Sequence, residues 1–208
     1  QDVFLNRKIY NMLEPLLKKQ NYINQVDKFI NEEIDINFDI IREIPINLLF
    51  DNTKYSFVVT GIFPNLSLPF LESDSHNKIK NKIVIQRTFR YRNPFINYKF
   101  LNNYENLLFV GTKEEYDDMK LDVKKLEFYD CKDFLEMASI IKSSKFTIGN
   151  SSIAFPIAEG LKVPRLLEAC PHFPAAQPHG RQHEHRNSGK WPKRCSHSWQ
   201  HNLFIARR

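Results

Sequence analysis

The chain has 208 residues, enough for one large or two small domains around a sizeable core. Hydrophobic residues make up 42% and charged residues 26%, an ordinary balance for a soluble protein, and no apolar run approaches the roughly 18–20 residues of a membrane span. The net charge of +6 suggests nucleic acid or an acidic membrane as partner until it is located: from Ala175 onward the chain holds seven basic residues against the single acid Glu184, whereas the body is balanced at 23 of each. The basicity belongs to the tail, and nucleic-acid binding is not expected of the body.

Residues 1–76 mix helical and extended patterns. Gln1 and Asp2 lead straight into patterned sequence with no signal-peptide features and no initiator Met, so the chain is expected to be a fragment. Ile9, Met12, Leu13, Leu16 and Leu17 follow a helical stripe that Pro15 should kink or end. Asn52–Thr60, with Phe57, Val58 and Val59, predicts a strand that Gly61 to Asn65 breaks.

Residues 77–174 are the most regular. Short apolar runs at 82–86, 107–111, 126–129, 145–149 and 165–167 predict five strands. Helical patterns stand between them at residues 113–120 and after Asp133, an N-cap with Phe134, Met137, Ala138 and Ile141 on one face. Another follows the turn Gly149-Asn150-Ser151-Ser152, and Ala158-Glu159-Gly160-Leu161-Lys162-Val163-Pro164 returns the chain to the last strand. Strands alternating with helices imply an α/β domain with a parallel sheet covered on both faces, whose ligands bind beyond the carboxyl ends of the strands. Three connections fall at that end: Arg87 to Arg92, Gly111-Thr112, and Gly149 to Ser152.

From about Ala175 the texture changes. Residues 175–208 are rich in His, Arg, Gln and Pro, hold both tryptophans, and show no sustained period. This atypical, basic, His-rich tail reads as disordered or frameshifted sequence; a metal site built from His179, His183, His185, His197 and His201, or a nucleic-acid arm, are the other readings. Cys131, Cys170 and Cys195 have no spacing of a metal or disulfide framework, and a reducing cytoplasm is the default.

The run Asp133 to Ser144, the strand 145–148, Gly149-Asn150-Ser151-Ser152 and Ala158 to Pro164 together resemble the donor-binding half of a GT-B glycosyltransferase, in particular the bacterial heptosyltransferase family (glycosyltransferase family 9) and its relatives. The resemblance covers roughly residues 80–180. It implies a Rossmann-like donor domain at 77–174, preceded by a remnant of the acceptor-side α/β domain and linker at 1–76. It further implies a nucleotide-sugar donor, a glycan or lipid-linked acceptor, and a cytoplasmic protein in peripheral contact with the inner face of the cell membrane. Ser151 stands where the family has an acid, Ile153 where it has Gly, and Pro156 about where it has His; Gly149, Asn150 and Ser152 carry over directly.

Transfer of a sugar from such a donor leaves negative charge on the departing diphosphate, which protein cations, hydroxyls and helix N-termini must stabilise if no metal does. No Asp-x-Asp motif stands in a suitable loop, so neither metal nor cofactor is expected. Arg87, Arg90 and Arg92 follow the first strand and suit a phosphate by their fork of donors, or are three solvated loop residues. Ser151 and Ser152 offer hydroxyls and backbone N–H groups, or simply cap the next helix. Gly111 and Thr112 approach the nucleotide or only make a turn. Glu168 ends the fifth strand and can accept from ribose hydroxyls; Glu159 faces the donor or solvent. No general base can be nominated; the resembling family takes it from the other domain. A non-catalytic nucleotide- or sugar-binding module, a sugar-nucleotide epimerase and a nucleic-acid-binding protein remain as alternatives.

Overall fold

Strands β1 (Ile83–Gln86), β2 (Leu107–Val110), β3 (Leu126–Tyr129), β4 (Phe146–Asn150) and β5 (Arg165–Glu168) form a parallel sheet in the order β3-β2-β1-β4-β5. The computed structural model describes residues 6–43, 52–170, 178–179 and 203–206. Register is continuous across the sheet: Ile83 lies between Leu107 and Phe146, and Gln86 beside Gly149. Asn150 ends level with Glu168. The arrangement is α/β and Rossmann-like, as the alternation of strands and helices predicts.

Side chains on a strand alternate between faces, and each face has its own cover. Val84, Leu108 and Val110 pack with Ala138 and Ile141 of α4 (Phe134–Lys142) and Ile157 and Ala158 of α5 (Ala154–Gly160). Leu16 of α1 (Arg7–Lys18) joins that cluster. On the other face Ile85, Leu107, Phe109 and Ile148 pack with Met119 of α3 (Lys113–Asp122) and with Ile96, Tyr98 and Leu101. The latter three belong to the β1–β2 crossover, which holds only short 3-10 turns at Phe89–Tyr91 and Lys99–Asn103 in place of an α-helix.

Three expectations change. Asn52–Thr60 is a helix, α2, rather than a strand. The Gly61 N–H closes it on the Phe57 carbonyl at 2.7 Å, and Gly61 takes a φ of +68°, the left-handed stop that glycine supplies without penalty. Local β-propensity in Phe57-Val58-Val59 is a weak preference that such context outweighs. Pro15 does not end α1, which continues to Lys18. The tail contributes a strand, β6 (Leu203–Ala206), antiparallel to β5, whose local signal is the short apolar run Leu203-Phe204-Ile205-Ala206. Its other histidines, His183, His185, His197 and His201, lie outside the described residues. No described helix is long and apolar enough to cross a membrane.

Gly160 ends α5 where residues 70 and 71 cross it. Both their N–H groups donate to the Gly160 carbonyl, at 2.9 and 3.0 Å, so the segment cannot retreat. A Cβ on Gly160 would stand 2.6 Å from the Leu71 side chain and 2.9 Å from the Phe70 ring. Gly160→Ala is therefore expected to cost about 1–3 kcal/mol by overpacking, measured by urea unfolding.

Candidate functional site

From β1 the chain adds strands outward on one side, β2 then β3, and returns to add β4 and β5 on the other. The crevice at the carboxyl ends of β1 and β4 is the point where the order reverses, and open α/β sheets bind ligands there. The Arg87–Arg92 turn and the Asn150-Ser151-Ser152 turn both start at it.

Asn150 binds the two turns together. It is fully buried; its Oδ1 accepts from the Thr88 N–H and hydroxyl, both at 3.3 Å, and its Nδ2 donates to the Thr88 carbonyl at 2.8 Å. Gly149 lies inside the ladder between Gln86 and Leu167, with the Gln86 carbonyl 3.5 Å from where a Cβ would stand. Ser151 and Ser152 are half-buried, and neither hydroxyl makes a hydrogen bond among the described residues.

The expected serine cap of α5 is not made. No side chain of the turn caps the helix; Gln86 reaches across from β1, its Oε1 accepting from the Ala154 N–H at 2.9 Å. The Phe155 N–H donates to the Ser152 carbonyl, and Pro156 has no N–H. α5 has 7 residues. With those first-turn donors committed, an anion at this turn would meet the serine hydroxyls rather than a helix N-terminus.

The three arginines separate in role. Arg87 is buried and turned inward: Nε donates to Glu168 Oε2 at 2.8 Å and Nη2 to Glu168 Oε1 at 3.1 Å, so both groups expected to reach a donor hold one another. Glu168 is fully buried and also accepts from Tyr98 and from the Asn93 N–H. Desolvation, then the adjacent carboxylate, pushes the Tyr98 hydroxyl well above the ordinary tyrosine range. Arg90 is exposed, its guanidinium 4.9 Å from the Tyr91 ring centre. Arg92 lies 4.4 Å over the Phe89 ring and pairs through Nη1 with Asp118 of α3 at 2.5 Å. Its Nε and Nη2 are buried and have no hydrogen-bond partner among the described residues. Such donors cost about 1–3 kcal/mol each unless an oxygen satisfies them.

Gly111 and Thr112 each have a structural part in the β2–α3 turn. Gly111 has a φ of +153°, and a Cβ there would stand 2.9 Å from the Phe109 ring. Thr112 and Glu115 make a reciprocal capping box on α3. Glu159 faces neither donor nor solvent; it is buried with Lys162 and Arg165 at the opposite end of β5. Burial pushes the Cys131 thiol up to about 12, which leaves it inert as a nucleophile. Among the described residues, no group of three His, Cys, Asp or Glu side chains is placed to hold a metal ion.

Sequence reasoning missed Thr88, Gln86, Asn93 and Tyr98, the residues that hold the crevice in shape. Asn93-Pro94 carries a turn signal, and Gln86 is the lone polar residue of an apolar strand; neither names its partner. Comparisons with protein families, with curated proteins and with solved structures find no match for this chain.

Proposed function

We propose that this chain holds the donor half of a glycosyltransferase that takes a sugar from a nucleotide-sugar donor. The observation that carries the reading is Arg92, with two buried guanidinium donors that have no partner among the described residues, in the turn that follows β1 and also carries the exposed Arg90. A diphosphate supplies the oxygens such donors need, and Ser151 and Ser152 add hydroxyls from the neighbouring turn. In transfer, the arginines stabilise the charge that develops on the diphosphate as its bond to the sugar carbon breaks, the acceptor hydroxyl forms the new bond to that carbon, and its proton passes to a base that the resembling family takes from the other domain. The acceptor class, a cell-surface glycan or lipid-linked saccharide, follows from the resemblance, as do the cytoplasmic location and peripheral membrane contact.

The test is calorimetry with ADP, GDP, UDP and CDP. At least one is expected to bind, and Arg90→Ala to weaken that binding about tenfold or more, the worth of a hydrogen bond to a charged group. If none binds, or if Arg90→Ala binds as tightly as the parent, the reading is wrong. A second reading, a donor-binding module without turnover, is favoured by one observation. Three described carboxylates on the elements that follow β2 and end β5 are committed: Glu168 to Arg87, Glu115 to the α3 cap and Asp118 to Arg92. Release of nucleotide from a bound nucleotide sugar in the presence of acceptor separates the two.

A further inference from the structure

The segment that follows β1 leaves the crevice, runs over the carboxyl end of β5 and returns to the far face of the sheet before β2 begins. It has no strand ladder and no helix longer than a 3-10 turn; Ile96, Tyr98 and Leu101 are held in the core, and Asn150 holds Thr88. A second side chain from another strand ties the segment at three points. Glu168 Oε1 accepts from the Asn93 N–H at 2.6 Å and from Arg87 Nη2 at 3.1 Å. Its Oε2 accepts from Arg87 Nε at 2.8 Å and from the Tyr98 hydroxyl at 2.7 Å. Arg87 Nη2 also reaches the Asn93 and Ile96 carbonyls, at 3.2 and 3.1 Å, and the guanidinium lies 4.6 Å over the Tyr98 ring. Asn93 is tied a second time, its Nδ2 donating to the Ala169 carbonyl at 2.9 Å.

Three points of one segment, at 87, 93 and 98, are thus fastened to one buried carboxylate. Between the first two lie Thr88 to Arg92, which include both arginines with donors to offer. We propose that Glu168 is the positioning residue of the diphosphate grip: it touches no ligand, and it sets where Arg90 and Arg92 stand by fixing both ends of the turn that carries them. The proposal rests on the donor-binding reading. For stability alone, a buried ion pair is no better than apolar side chains of similar volume. What apolar side chains cannot do is hold an N–H, a hydroxyl and a guanidinium at set positions, and hydrogen bonds to phosphate tolerate displacements of only about 0.5 Å.

The experiment measures the affinity for inorganic pyrophosphate by calorimetry, well below the melting temperature of every variant. Tyr98→Phe keeps the ring under Arg87 and removes one hydrogen bond to Glu168. It is expected to weaken pyrophosphate about three- to tenfold, with faster amide exchange confined to the segment 87–98. Arg87→Met/Glu168→Met is expected to regain most of the melting temperature lost in Glu168→Met yet bind at least tenfold more weakly than the parent; a merely structural role would restore both together. Should the double variant fail to fold, Tyr98→Phe decides alone. Parental affinity in Tyr98→Phe, where Arg90→Ala is weakened, overturns the positioning role and leaves the donor reading standing. Absence of pyrophosphate and nucleotide binding in the parent chain overturns both.

Discussion

Glu168→Ala is expected to remove about 3–5 kcal/mol of stability at neutral pH, read from urea unfolding. The substitution leaves the Arg87 guanidinium buried with backbone carbonyls as its remaining hydrogen-bond partners. It also strips the acceptor from the Tyr98 hydroxyl and the Asn93 N–H, both in buried residues. An uncompensated buried charge is the larger loss, since each orphaned neutral donor adds only about 1–3 kcal/mol. Against a typical total of about 5–15 kcal/mol, the change places the variant near the edge of folding. Removing both charges in Arg87→Met/Glu168→Met is expected to recover most of the loss, because the desolvation cost leaves with the pair. A Glu168→Ala protein within about 1 kcal/mol of the parent would mean that Arg87 swings out to water and that the network does not hold the segment.

The strands were readable because each is an apolar run bounded by polar residues, and a buried parallel strand needs no more than that. Asp133 was readable as a cap for a local reason: its Oδ1 accepts from the Glu136 N–H, three residues on, at 2.8 Å. What could not be read depends on partners far apart in the chain. Arg87 and Glu168 are 81 residues apart, and Gln86 and Ala154 are 68 apart. Arg87, Glu168 and Gln86 each read, in their own neighbourhoods, as a polar residue at the end of a strand, and Ala154 as an ordinary first helical residue. Sequence placed Arg87 and Glu168 at the carboxyl end of the sheet, where they are, and assigned both to a ligand. Only the register between β1, β4 and β5 brings them close enough to satisfy each other. With Arg87 and Glu168 paired, Arg90, Arg92 and the two serines are the remaining candidates around the crevice. α2 shows the opposite limit, since the local preference of Phe57-Val58-Val59 was plain and a helix formed regardless.

The other large effect lies at the opposite end of β5. Glu159, Lys162 and Arg165 are all at least nine-tenths buried, and one carboxylate serves two cations. Glu159 Oε1 pairs with Lys162, and Oε2 accepts from Arg165 Nε at 2.7 Å. The remaining donors go to carbonyls: Arg165 Nη1 to Val163 at 3.0 Å and Nη2 to His179 at 2.9 Å. Burial holds Lys162 and Arg165 below their ordinary values, and Glu159 opposes the shift in both. A base with a depressed value in the fold is more readily protonated when unfolded, so stability rises as pH climbs from the folded value of Lys162 towards 10.5. Glu159→Gln removes the opposing charge, drives Lys162 lower still and extends that window towards neutrality. The variant is expected to lose about 3–5 kcal/mol at pH ~7 and to regain part of it by pH ~10, as Lys162 sheds its proton in the folded state while Arg165 stays charged. Urea unfolding of both proteins across that range measures the difference. A deficit that does not shrink with pH would mean that Lys162 reaches water when its partner is gone. Because the cluster sits a strand's length from the crevice, pyrophosphate affinity per folded molecule should not change in this variant. That separates it from Tyr98→Phe, where affinity should fall first.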